Sequence, residues 1–91
     1  GAWFGSVPDY AAQPEGGGMQ LAGVSPGGPA EAAGLRKGDI LKKVGEMTVG
    51  DIYDFMDALA AGHPGEKVAV EFIRDGKVES VAVVLGSRAE D

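Results

Sequence analysis

The clearest alternation of apolar and polar residues lies in the last third of the chain. Val68, Val70 and Phe72 occupy every second position, Asp75-Gly76 follows, and Val81, Val83 and Leu85 resume the alternation. Successive strand side chains point to opposite faces, so an Asp-Gly pair between two such runs predicts a tight β-hairpin. Over residues 51–61 the period changes. Ile52, Phe55, Met56 and Leu59 fall at i, i+3, i+4 and i+7, with Asp51, Asp54 and Asp57 on the opposite side, which predicts an amphipathic helix. Thr48 or Asp51 is suited to cap its start, and Gly62 followed by Pro64 to end it. Shorter runs predict the rest. Trp3-Phe4-Gly5-Ser6-Val7 reads as a strand bounded by Pro8, with a Pro/Gly-rich loop at 9–18. Residues 19–24 read as a second strand, stopped by Ser25-Pro26-Gly27-Gly28. Pro29 opens a brief helix over 29–33, as its fixed φ suits a first helical position, and Gly34 supplies a left-handed end. Residues 38–44 read as a strand turning at Gly45-Glu46. The sum is an α+β fold of about five mostly antiparallel strands in a curled sheet or partial barrel, with one long and one short helix.

Composition narrows the class. The 91 residues are 44% apolar and 24% charged, ordinary globular usage, and bound the chain to one domain, 1–91. Because Gly1 is not a start methionine, the domain is expected to be excised from a larger protein. Glycine is high at 16, with 5 prolines, but both cluster between the periodic segments and punctuate turns. The net charge of −6 suits neither a nucleic-acid backbone nor an anionic membrane surface. Cysteine is absent, which excludes disulfides, thiolate metal sites and cysteine nucleophiles. No apolar run approaches the ~20 residues of a membrane span.

Candidate chemistry mostly reduces to plain structure. His63, the one histidine, sits in a turn between Gly62 and Pro64. Asp51, Asp54 and Asp57 lie along a helix exterior, whereas a hard-cation site gathers about six oxygens around one point. Gly16-Gly17-Gly18 and Gly27-Gly28 lack the Gly-Lys-Ser/Thr continuation of a phosphate loop. Ser6, Ser25, Ser80 and Ser87 have no recognisable activating base. The chain by itself is therefore not expected to be an enzyme, and no catalytic residue, metal or cofactor of its own is expected.

One long segment carries a family signal. Gly28-Pro29-Ala30, Ala33-Gly34-Leu35 and Gly38-Asp39-Ile40-Leu41, in that order, resemble the PDZ family, and the likeness extends from Trp3 to Leu85. The resemblance implies that a ligand's C-terminus adds as a strand between a sheet edge and the long helix, its carboxylate held by backbone N–H groups of an apolar-Gly-apolar loop. Trp3-Phe4-Gly5-Ser6 stands where that loop would be, with Ser6 replacing the second apolar residue. It further implies that Val7 continues the binding strand, that Phe4 and Ser6 share the pocket for the last ligand side chain, and that Ile52, Met56 and Ala60 face the groove. Phe55 and Leu59 are assigned to the core. An apolar Ile52, where the subclass reading Ser/Thr ligands has histidine, implies an apolar ligand residue two before the end. Pro8 departs from the pattern: it lacks the N–H that would bond the ligand backbone, a loss of about 0.5–1.5 kcal/mol.

The strand that precedes the carboxylate loop is expected from the far end of the chain, near residues 81–85, as in bacterial protease-associated PDZ domains. Phe4-Gly5-Ser6-Val7-Pro8-Asp9-Tyr10 resembles the opening of domains appended to di-zinc exopeptidase-family aminopeptidases, as do Tyr53, Arg74-Asp75-Gly76 and Leu85-Gly86-Ser87-Arg88. That implies a peptidase parent with zinc in its catalytic domain and a periplasmic or secreted location. The expected partners are apolar protein C-termini and the parent's catalytic domain. Two alternatives stand beside it: a high-temperature-requirement-type serine protease as parent, and a module that docks on its own catalytic domain without a peptide ligand.

Overall fold

The computed structural model describes residues 2–87. Eight strands and two helices follow in the order β1 (Ala2–Trp3), β2 (Ser6–Pro8), β3 (Met19–Val24), α1 (Pro29–Ala32), β4 (Ile40–Val44), β5 (Met47–Thr48), α2 (Ile52–Ala61), β6 (Lys67–Arg74), β7 (Lys77–Val84) and β8 (Gly86–Ser87). The main sheet runs β2-β3-β4-β6-β7, with β5 paired to β4, and every pairing is antiparallel. The predicted α+β class and the mostly antiparallel open sheet are present.

The hairpin forms as its alternation dictates. Val70, Phe72, Val83 and Leu85 are buried, and Asp75 and Gly76 both take positive φ, +52° and +78°, as a two-residue turn matched to strand twist requires. Gly34 takes the expected left-handed end of α1, at φ +94°. Asp51 caps α2: its Oδ1 accepts from the Asp54 N–H at 3.0 Å while Asp54 Oδ2 accepts from the Gly50 N–H at 2.8 Å. These two bonds, one to the first turn and one to the residue before the cap, engage Asp51 and Asp54.

The predicted strand over 3–7 divides in two. Gly5 sits at φ +76°, so the extended chain breaks at Phe4-Gly5; β1 pairs with β8 (Trp3↔Gly86) and β2 pairs with β3 (Ser6↔Val24). The strand directly before the loop is β1 itself; what comes from the far end is its partner β8 at 86–87, not 81–85, whose residues up to Val84 belong to the hairpin. Arg88 lies outside the described residues. Asp39 is buried to 1% exposure. Its carboxylate accepts from Arg74 Nε at 2.8 Å, Arg74 Nη2 at 2.6 Å and the Arg36 N–H at 2.9 Å, which ties the turn before β4 to the end of β6.

Candidate functional site

An uncharged groove of about 220 Å³ separates β2 from α2. Its end is the loop at Phe4-Gly5-Ser6, and the peptide planes there are fixed from behind. The Phe4 carbonyl accepts from the Ala30 N–H at 2.9 Å, and the Gly5 carbonyl from the Ser25 N–H at 2.9 Å. A trans peptide points its N–H opposite its carbonyl, so the N–H groups of Gly5 and Ser6 are turned away from the backbone of α1 and of Ser25. Successive N–H groups of this kind form an anion-binding concavity. No lysine or arginine lines the groove. A Cβ at Gly5 would stand 3.1 Å from Pro29 Cδ and 3.2 Å from the Gly28 Cα, so glycine is needed here for space as well as for φ.

Among the described residues no strand pairs with the outer side of β2, so that edge is open. Antiparallel residues alternate between facing the neighbour and facing away. Gly5 bonds towards β3 and Val7 pairs with Gly23, which leaves Ser6 and Pro8 facing the free edge. Pro8 therefore removes a donor where an added strand would seek one. Beyond it the ladder slips: Val7 pairs with Gly23 and Pro8 with Leu21.

The expected site residues separate into two groups. Trp3, Phe4, Gly5, Ser6, Ile52 and Met56 do come together around the groove. Phe4 is at the same time core, 1% exposed and edge-on to Phe55 at 5.1 Å between ring centroids. Val7 and Ala60 do not line the groove. Val7 turns its backbone to β3 and is 46% exposed, and Ala60 is exposed on α2. Phe55 and Leu59, assigned to the core alone, form part of the groove, as do Pro8 and Tyr10. Leu59 was legible, since it continues the stripe of Ile52 and Met56. Tyr10, 79% exposed, had no periodic signal to reveal it. Among the described residues no cluster of three or more His, Asp or Glu converges on one point.

Residues 11–85 match the PDZ domain family. The chain belongs to the PDZ domain family. The Do-like HtrA serine protease of Lactococcus lactis subsp. lactis is 36% identical to this PDZ domain over 75 residues, 82% of the chain and 18% of that protein. The probable periplasmic DegP-like serine endoprotease of Bartonella henselae is 36% identical over 64 residues, 70% of the chain and 13% of that protein. A solved HtrA-type protease, AlgW with tripeptide, superposes with a TM-score of 0.83 at 26% identity, over 99% of the chain and 33% of that structure. The chain thus spans less than a fifth of these curated relatives' length. They carry serine-protease names, so the expected zinc-aminopeptidase parent, and zinc with it, finds no support in them. Of the residues behind that expectation, Phe4 to Tyr10 precede the 11–85 match, whereas Tyr53, Arg74-Asp75-Gly76 and Leu85 lie within it. A solved aminopeptidase N family protein from Idiomarina loihiensis, 20% identical with a TM-score of 0.77 over 91% of the chain and 13% of that structure, shares the fold alone.

Proposed function

We propose that this PDZ domain captures peptide C-termini for an HtrA-type serine protease. The free β2 edge facing α2, across an uncharged groove closed by the Gly5 and Ser6 N–H groups, carries this reading. A ligand adds antiparallel to β2, its carboxylate on those N–H groups and its last side chain between Phe4, Ser6 and Met56. Ile52 meets an apolar residue two before the end. The affinity comes from backbone bonds and the choice from side-chain pockets. The solved relative with a bound tripeptide supports a peptide ligand, and the periplasmic relative supports a location outside the cytoplasm.

The test is an NMR titration of the labelled chain with a peptide ending in apolar residues, against the same peptide amidated. Shifts at Gly5, Ser6, Ile52 and Met56 with the free acid alone are expected. Silence from several apolar sequences up to millimolar concentration would leave the second reading, docking on the parent's own catalytic domain, which the lost donor at Pro8 favours. The parent is tested separately by the reading frame that encodes the chain. A serine-protease domain is expected there, and a di-zinc aminopeptidase would overturn the parent without touching the groove.

A further inference from the structure

We propose that the groove opens past Pro8 into a second chamber that receives a basic side chain of the same ligand, upstream of its apolar C-terminus. The proposal rests on the reading of the groove as a peptide site. The chamber, about 350 Å³, lies between the 9–18 loop, the start of β3 and the first turn of α2, and Pro8, Tyr10 and Ile52 line both spaces. Its loop wall is held in place. Lys42 Nζ donates to the Gly16 and Gly17 carbonyls at 2.8 and 3.0 Å, and the Gly18 N–H donates to the Gly50 carbonyl at 2.9 Å.

The backbone directs a ligand into this space. The bulge at Val7/Pro8 interrupts the ladder and turns the strand, and Pro8 has no donor to offer. At about 3.3 Å per residue, a ligand anchored at Gly5 reaches Pro8 within three residues. Beyond that point β2 no longer guides it, and its side chains pass the chamber mouth.

The walls select the chemistry. Met19, Pro8 and Ile52 supply apolar surface, and Asp9 and Asp51 supply carboxylates. Each carboxylate uses one oxygen on a backbone N–H, Asp9 on Ala11 at 3.1 Å and Asp51 on Asp54 at 3.0 Å. The second oxygen of each has no donor among the described residues, and no lysine or arginine lines the chamber. An apolar stem with a cationic head, lysine or arginine, matches this lining. Exposed Tyr10 at the rim adds a ring face for a guanidinium. The net charge of −6 works in the same direction.

The test is calorimetry on the 91-residue chain with octapeptides of one apolar C-terminus, each as free acid and as amide. Arginine, alanine or glutamate is placed in turn three, four and five residues before the end. At one of these positions arginine is expected to bind about fivefold tighter than alanine and glutamate more weakly, with the preference shrinking in high salt. In the double variant Asp9→Asn/Asp51→Asn, whose amide oxygens still accept the backbone bonds, the arginine-to-alanine ratio is expected to fall to about one. Acid-dependent binding without an arginine preference, or a preference that survives in the double variant, overturns the chamber alone. A preference shared by acid and amide keeps the chamber and overturns carboxylate capture. No binding of any peptide overturns both.

Discussion

A side chain at Gly5 would crowd Pro29 and Gly28 on a backbone at φ +76°, and the same residue supplies an N–H to the head of the groove. Gly5→Ala is expected to cost about 1–3 kcal/mol in local strain. If the loop shifts to relieve it, free-acid peptides bind on the order of tenfold more weakly, read by calorimetry beside a thermal melt. Pro8 acts in the opposite sense, because it occupies an edge position without a donor. Pro8→Ala restores one backbone bond of about 0.5–1.5 kcal/mol, so peptides that reach it are expected to bind up to about tenfold tighter. Unchanged affinity would mean that the ligand leaves β2 before that point.

At ten residues, α2 is shorter than the ~12–15 that hold a helix in isolation. It persists because Phe55 and Ala58 are buried and because Asp51 and Asp54 satisfy backbone donors at its start. Asp51→Ala is expected to destabilise the chain by about 1 kcal/mol, within a range of about 0.5–2, measured by urea denaturation. Asp51→Asn, a comparable cap, is expected to lose far less. Since α2 forms one wall of the groove, the alanine variant is also expected to weaken peptide binding. The β6–β7 hairpin is secured differently, by a turn whose two residues both adopt positive φ and by a buried alternating face.

The Asp39–Arg74 pair links segments 35 positions apart. Hydrogen bonding to Asp39, with Coulombic attraction from the same carboxylate, holds the Arg74 guanidinium above its usual pKa. Removing the arginine leaves a buried carboxylate with the Arg36 N–H as its remaining donor. Arg74→Ala is expected to lower the melting midpoint by several degrees, well beyond the effect of Lys43→Ala at an exposed strand position. Arg74→Lys is expected to recover part of the loss, since a point charge cannot reproduce the two-pronged bond. The sequence places Asp39 only within the Gly38-Asp39-Ile40-Leu41 motif; the ion pair needed two distant segments brought together. The same limit divides the rest of the molecule. The hairpin, α2 and the Gly34 terminator were legible because period, cap and turn chemistry act within a few neighbouring residues. The strands β1, β5 and β8 are two residues long, too short to carry a period, and exist through their partners. The groove was legible where its residues fell on a helical stripe or a family motif, as at Ile52, Met56 and Phe4-Gly5-Ser6. Val7 and Ala60, expected at the groove, stay out of its lining because burial depends on which face meets which element. Tyr10 and the chamber beyond Pro8 became visible only once the loop, β3 and α2 were packed side by side, since a cavity is a relation between segments that no local pattern encodes.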